Sequence, residues 1–316
     1  MSTRNIGVLV MSYGTPANMD QIEAYYTHIR RGSPPSAEQL EELTARYEAI
    51  VGGVFPLRAN TDQQVEALQA ELDSRTAGTD VRYVCYQGLK HASPMIEDGL
   101  SQMAADGLKE AIGIVLAPHY SIMSVGGYMK RAKEEADKQG IVFIGIDSYH
   151  LHPLLIDALE LRLTEKLREY EAEGVSQEEV HVLFSAHSLP ARIVEMNDPY
   201  PQQLLETSDA IASQAGVKRD QWRFTWQSAG RTATPWLGPD IMDTLEAVKE
   251  EGIRHVISAP IGFVSDHLEV LYDLDIEAQQ KSDEIGLSFK RIRSLNSDPL
   301  YMSVLADCIT QVHATV

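Results

Sequence analysis

Apolar residues along the chain gather into short runs, several of them interrupted by polar residues, at 6–11, 81–86, 111–117, 142–146, 180–184, 223–227, 255–259 and 288–292. Their length and β-branched content predict strands, and the run at 180–184, interrupted only by His181, suits one covered on both faces. Between them, 62–72, 94–106, 128–138, 153–173 and 239–251 space their apolar residues as amphipathic helices do. Strands alternating with helices predict parallel sheets with right-handed crossovers. The expected class is α/β, with two Rossmann-like domains whose parallel sheets are flanked by helices. The pattern breaks best at 149–153, where a strand series ends and a long helix begins. Domains are therefore expected at 1–150 and 151–316, with the last helix free to pack back on the first.

The two halves read as distant copies. Val8-Leu9-Val10-Met11-Ser12-Tyr13-Gly14-Thr15-Pro16 aligns with Val182-Leu183-Phe184-Ser185-Ala186-His187-Ser188-Leu189-Pro190, which sets Tyr13 opposite His187. Val115-Leu116-Ala117-Pro118 aligns with Ile257-Ser258-Ala259-Pro260. The first half carries about 32 extra residues, best placed at 25–60. A duplicated fold with an insertion in one copy implies an active-site cleft between domains, partly roofed by the insertion.

Composition narrows the function. Forty-six acidic against 27 basic residues give a net charge of −19, which excludes nucleic acid as a partner. Against that background Arg30-Arg31, Arg46 and Arg58 stand out. They either hold an anionic ligand or pair with Glu38, Glu41, Glu42 and Glu48, and the sequence favours neither. The first apolar run is too short for a signal peptide or an integral membrane segment. Cys85 and Cys308 form no CxxC pair, which suits a reducing cytoplasm and cannot supply an iron–sulfur cluster.

Two stretches carry candidate chemistry. His187 ends a strand, where ligands of open α/β sheets bind. Taken alone, it reads more readily as a hydrogen-bonded structural residue than as a ligand. From 260 to 277 the chain reads as a loop entering a helix, with Asp266-x-x-Glu269 as a capping-box-like start. On that helix Leu268, Leu271 and Ala278 would share a face, and Glu269, Asp273 and Glu277 would stack on another at i, i+4, i+8. Three carboxylates in line are either a track for a divalent cation or a solvated face of an acidic protein. One imidazole and one carboxylate, without thiolates, make a borderline site suited to Fe²⁺ and to releasing it. Tyr13 adds a phenol from the opposite domain.

At these residues the chain resembles the ferrochelatases over nearly its whole length. The match runs through Leu183-Phe184-Ser185-Ala186-His187-Ser188-Leu189-Pro190, Asn197-Asp198-Pro199-Tyr200 and Trp226-Gln227-Ser228. It continues in Trp236-Leu237-Gly238-Pro239 and Gly262-Phe263-Val264-Ser265-Asp266-His267-Leu268-Glu269. Tyr13-Gly14-Thr15-Pro16 and Tyr25-Tyr26-Thr27-His28-Ile29-Arg30-Arg31-Gly32 look like the soluble monoderm-bacterial type. The resemblance implies a class II chelatase-like fold and a metal chelatase (a lyase) inserting Fe²⁺ into coproporphyrin III, giving coproheme in haem biosynthesis. His187 and Glu269 would be the catalytic, metal-handling pair, with Asp273 and Glu277 at an outer metal position. Tyr13, Arg30, Arg46, Tyr47, Tyr128 and His91 would contact the porphyrin, and Tyr13 would be axial ligand to product iron. The family usually reads Gly-Gly-x-Ser-Pro-Leu, whereas Gly52-Gly53-Val54-Phe55-Pro56-Leu57 has phenylalanine at the serine position, with Val51 as an extra residue.

The expected chemistry starts from His187 neutral near pH 7, able to exchange metal and accept a pyrrole proton. No cofactor beyond the Fe²⁺ substrate and no iron–sulfur cluster is expected. The partners are porphyrin and Fe²⁺, with transient contact to the next haem-pathway enzyme, and the protein is expected to be a cytoplasmic monomer. Rival readings are a protoporphyrin IX ferrochelatase, a cobalt or nickel chelatase of the sirohydrochlorin type, and a non-catalytic two-lobed haem- or tetrapyrrole-binding protein.

Overall fold

The structure, a computed structural model, describes residues 4–50, 52, 55–230, 232 and 234–314. The chain divides into two compact units: Met1–Tyr149 with Asn296–Val316, and His150–Leu295. The second unit thus stops short of the C-terminus expected from the sequence. Helix α11 (Pro299–Ala314) belongs with the first unit, as Tyr301 Oη and Tyr149 Oη lie 2.8 Å apart and Tyr83 Oη meets His313 Nδ1 at 2.7 Å.

In the first unit, strands β1 (Arg4–Ser12), β2 (Val81–Leu89), β3 (Glu110–Val115) and β4 (Val142–Ile146) form a sheet in the order β2-β1-β3-β4. Every pairing is parallel. Helices α1 (Ile22–Ile29), α2 (Ala37–Ala49) and α3 (Pro56–Arg75) lie between β1 and β2, followed by α4 (Ile96–Ala105) and α5 (Val125–Gln139). Leu9 and Met11 on β1 pack with Ile96, Leu100 and Met103 of α4 and with Tyr128 and Ala132 of α5. Each large apolar side chain so covered is worth about 1.5–3 kcal/mol.

The second unit repeats the plan. Helix α6 (Pro153–Ala172) leads into β5 (Val180–His187), α7 (Tyr200–Gln214), β6 (Trp222–Gln227), α8 (Ile241–Glu250), β7 (His255–Ala259) and β8 (Ser288–Arg291). The strand order is β6-β5-β7-β8, again all parallel. β1 and β5 occupy equivalent central places, as do β3 and β7, in agreement with the internal alignment. β5 is buried along its whole length up to His187, the one residue of the strand that opens to the surface.

The stretch after β7 departs from a regular helix. One α turn, α9 (Leu268–Leu271), passes into a π-helix at Asp273–Ala278 and then into α10 (Gln279–Ile285). The Glu277 N–H reaches back to the Tyr272 carbonyl at 2.9 Å, five residues earlier. Widening the turn rotates the residues that follow. Val270, Leu274 and Ala278 therefore form the buried face, in place of the expected Leu268, Leu271 and Ala278, and Asp273 is drawn in with them. The expected Asp266 cap is also not made. His267 holds the N-cap position, while Asp266 accepts from Ser294 Oγ at 2.8 Å and faces Arg291 at 3.3 Å.

Candidate active site

In the second unit, β5 delivers His187 and α9 delivers Glu269. His187 Nε2 and Glu269 Oε1 are 3.6 Å apart, and each side chain keeps 32% of its surface open. Nδ1 of His187 faces the Ser188 carbonyl, which leaves Nε2 turned to the carboxylate. The Tyr200 hydroxyl donates to the His187 carbonyl at 3.2 Å, and the ring lies against Trp236 and Phe263. Glu269 has a second imidazole, His267 Nε2, at 3.4 Å from Oε2, itself fixed by the Ser265 carbonyl 2.9 Å from Nδ1. In the sequence His267 stands only within the run Gly262–Glu269 that resembles the family, with no role of its own; its signal is its place two residues before Glu269 at the mouth of the helix.

Close approach of two backbones makes this geometry. Gly262 N–H donates to the Ser185 carbonyl at 3.1 Å, and a Cβ at Gly262 would stand 2.8 Å from Ala186 Cα. A glycine is required there for the loop after β7 to lie against the end of β5.

Electrostatics revise one expectation. Burial pulls the His187 imidazole down, but the Glu269 carboxylate beside it more than reverses this and the ring is pushed up to about 9. Burial likewise opposes ionisation of Glu269, yet His187 and then His267 hold its carboxyl well below the usual range. The resting pair near neutral pH is imidazolium and carboxylate, not the neutral imidazole expected. Asp273 is buried, and its Oδ2 accepts from Ser228 Oγ. Glu277 is exposed. The stacked carboxylate row is thus split: Glu269 and Asp273 face inward, and Glu277 faces solvent.

In the first unit, Tyr13 follows β1 and is 42% exposed. His91 stacks beside it, ring centroids 4.6 Å apart, and shares a 3.0 Å Nδ1–Nδ1 contact with His28. Burial, then the charges of Lys90, His28 and Arg131, push His91 down to about 3, so this ring is neutral. Lys90 Nζ sits 4.8 Å from the centre of the Tyr128 ring. Tyr47 Oη meets Thr15 Oγ1 at 3.3 Å, and its ring packs on Phe55 at 4.9 Å. Tyr47, Tyr128 and Phe55 are buried, whereas Tyr13 presents an open ring. Arg30 spans to the Ser33 carbonyl at 3.2 Å with its guanidinium 5.6 Å from the Tyr26 ring. Arg46 lies in the last turn of α2, next to Tyr47. Val51, Gly53 and Val54 lie outside the described residues, so Phe55 alone of that departure is placed.

Among the described residues, no group of three or more His, Cys, Asp and Glu side chains is arranged to hold a metal ion, and no helix is long and apolar enough to cross a membrane. Both thiols are withdrawn from chemistry. Burial pushes Cys85 up to about 12 and Cys308 up to about 11. Neither is therefore expected to react with a disulfide reagent in the native protein at neutral pH, and both should react after denaturation. A fast native thiol would contradict this.

Comparison with known proteins places the chain in a family. The family model described as Ferrochelatase matches residues 5–313. A Geobacillus sp. (strain WCH70) protein named coproporphyrin III ferrochelatase is 46% identical over 313 residues, covering 98% of both chains. One from Herpetosiphon aurantiacus, named ferrochelatase, is 44% identical over 306 residues, covering 96% of this chain and 97% of its own. In fold the chain is similar to SirB from Bacillus subtilis with Fe³⁺, at a TM-score of 0.60 and 11% identity, covering 98% of this chain and 95% of that one. A family model matching residues 5–313 and relatives 44–46% identical over nearly the whole chain lead to one conclusion: this protein belongs to the ferrochelatase family.

Proposed function

We propose that the protein inserts Fe²⁺ into coproporphyrin III, with His187 and Glu269 handling the metal. The observation that carries this reading is the 3.6 Å His187–Glu269 pair, one-third open and free of thiolate. One nitrogen and one carboxylate oxygen hold a ferrous ion loosely and leave its other positions to the porphyrin nitrogens. The names and identities of relatives such as the Geobacillus protein support the choice of porphyrin.

The steps balance without redox change. Fe²⁺ displaces the proton that His187 carries in the resting pair. As the ion passes to the macrocycle, its bonds to His187 and Glu269 break, two pyrrole N–H bonds break, and four N–Fe bonds form, two to the deprotonated nitrogens and two to the nitrogens that carried no hydrogen. His187, now unprotonated, accepts one of those protons, and Glu269 with His267 offers a route for the other. The first unit supplies the porphyrin contacts. Tyr13 and His91 offer ring surface, Arg30 and Arg46 supply guanidinium for propionates, and buried Tyr47 and Tyr128 back them. Tyr13 would ligate the product iron. Asp273 supports the inner site, and Glu277 serves an outer approach. No cofactor beyond the iron substrate takes part.

The test compares coproporphyrin III with protoporphyrin IX under anaerobic conditions, following the Soret and Q bands as iron enters. Faster turnover with coproporphyrin III is expected. A preference for protoporphyrin IX would overturn the substrate assignment, and binding without turnover would overturn the chelatase reading.

A further inference from the structure

His187 and Glu269 come from different elements, so their spacing needs a tie between β5 and α9. Gln227, the last residue of β6, supplies one. It stands directly beside His187 in the parallel ladder. Its backbone carbonyl accepts from the Ser188 N–H at 2.8 Å. Its side chain is fully buried, with Oε1 accepting from Ser185 Oγ at 2.8 Å and Nε2 donating to the Glu269 carbonyl at 2.9 Å. Ser185 is also fully buried. One amide therefore grips the strand that carries His187 and the helical turn that carries Glu269. That turn precedes the change to π-helix, where backbone pairing is least regular. The next residue, Ser228, is left-handed at φ 58° and donates to Asp273, so the end of β6 holds this region twice.

We infer that Gln227 is a positioning residue: its buried amide fixes the distance between His187 and Glu269, and so the geometry with which the pair holds iron. This rests on the reading of those two residues given above. Gln227 meets neither metal nor porphyrin in this account, and it acts through Glu269. A side chain of similar length without hydrogen bonding, Gln227→Met, would keep the packing and release the tie. It would also leave the Ser185 hydroxyl without its buried acceptor, at a cost in stability. The double variant Ser185→Ala/Gln227→Met removes that stranded hydroxyl while leaving the tie broken.

The experiment measures anaerobic initial rates across Fe²⁺ concentration at saturating coproporphyrin III, porphyrin affinity by tryptophan fluorescence quenching, and Tm. Both variants are expected to lose about 10–100-fold in kcat/KM for Fe²⁺, with porphyrin affinity unchanged. In the double variant Tm should recover while the rate does not. Normal iron kinetics in folded Gln227→Met would overturn the proposal. So would rates that recover with Tm, or porphyrin affinity falling in step with iron kinetics, since either assigns Gln227 to the fold alone. Glu269→Gln run in parallel separates the two levels. Normal insertion there removes the reading of the site and this inference with it, whereas a crippled Glu269→Gln beside a normal Gln227→Met removes only the positioning role.

Discussion

His187→Ala is expected to lose iron insertion by about 10²–10⁴-fold, the range for removing a positioned base, while still binding porphyrin. The loss combines two roles, a nitrogen for the metal and an acceptor for a pyrrole proton. Porphyrin binding should persist because the residues proposed to contact it, Tyr13, Arg30, Arg46 and His91, all belong to the first unit. The variant should also fold, because Glu269 keeps His267 Nε2 at 3.4 Å and is not left as a buried charge without a partner. The check is the shift of the Soret and Q bands on adding Fe²⁺ anaerobically, with fluorescence quenching as the separate measure of binding. Full metalation by this variant would take His187 out of the site.

Glu269→Gln should cripple insertion and change its pH dependence. In the metal-free wild type, Glu269 holds His187 up to about 9. A cation must displace that proton, so apparent metal affinity should rise with pH, about tenfold per unit below 9. Without the carboxylate, His187 should fall toward its ordinary value of about 6.5, with burial pulling it down and the Ser188 carbonyl and Asp273 still holding it up. Metal affinity in the variant should then level off above about pH 7. NMR titration of the His187 ring in both metal-free proteins reads the shift directly, and Zn²⁺ binding across pH reads its consequence. A ring that titrates alike in the two proteins would refute the coupling. Asp273→Asn should be milder, because asparagine still offers an oxygen to the Ser228 hydroxyl that Asp273 now accepts. Equal, near-normal rates in both variants would return the carboxylates to a passive role.

Helices were legible unevenly. The apolar pattern leaves α1, α2, α7 and α10 unmarked, although α2 carries its own signal. Ser36 accepts from the Gln39 N–H, and Gln39 Oε1 accepts from the Ser36 N–H, a capping box visible as Ser-x-x-Gln. In α1, Tyr25, Tyr26 and Thr27 blur the helical pattern. The π-helix at Asp273–Ala278 had no sequence signal, because an extra residue in one turn alters no local propensity. Packing of Val270, Leu274 and Ala278 into the core fixes it instead.

The sequence alone determined the eight strands, their parallel pairing and the doubled plan, because strands set between helices are written as short, largely apolar runs alternating with amphipathic stretches. It also singled out His187 and Glu269, through the motifs that resemble the ferrochelatases. Tertiary structure decided what those residues are chemically. It set His267 against Glu269, turned Asp273 inward and Glu277 outward, and charged an imidazole expected to be neutral. Proton affinity depends on burial and on charges within a few ångströms, and those neighbours come from elements far apart in the chain.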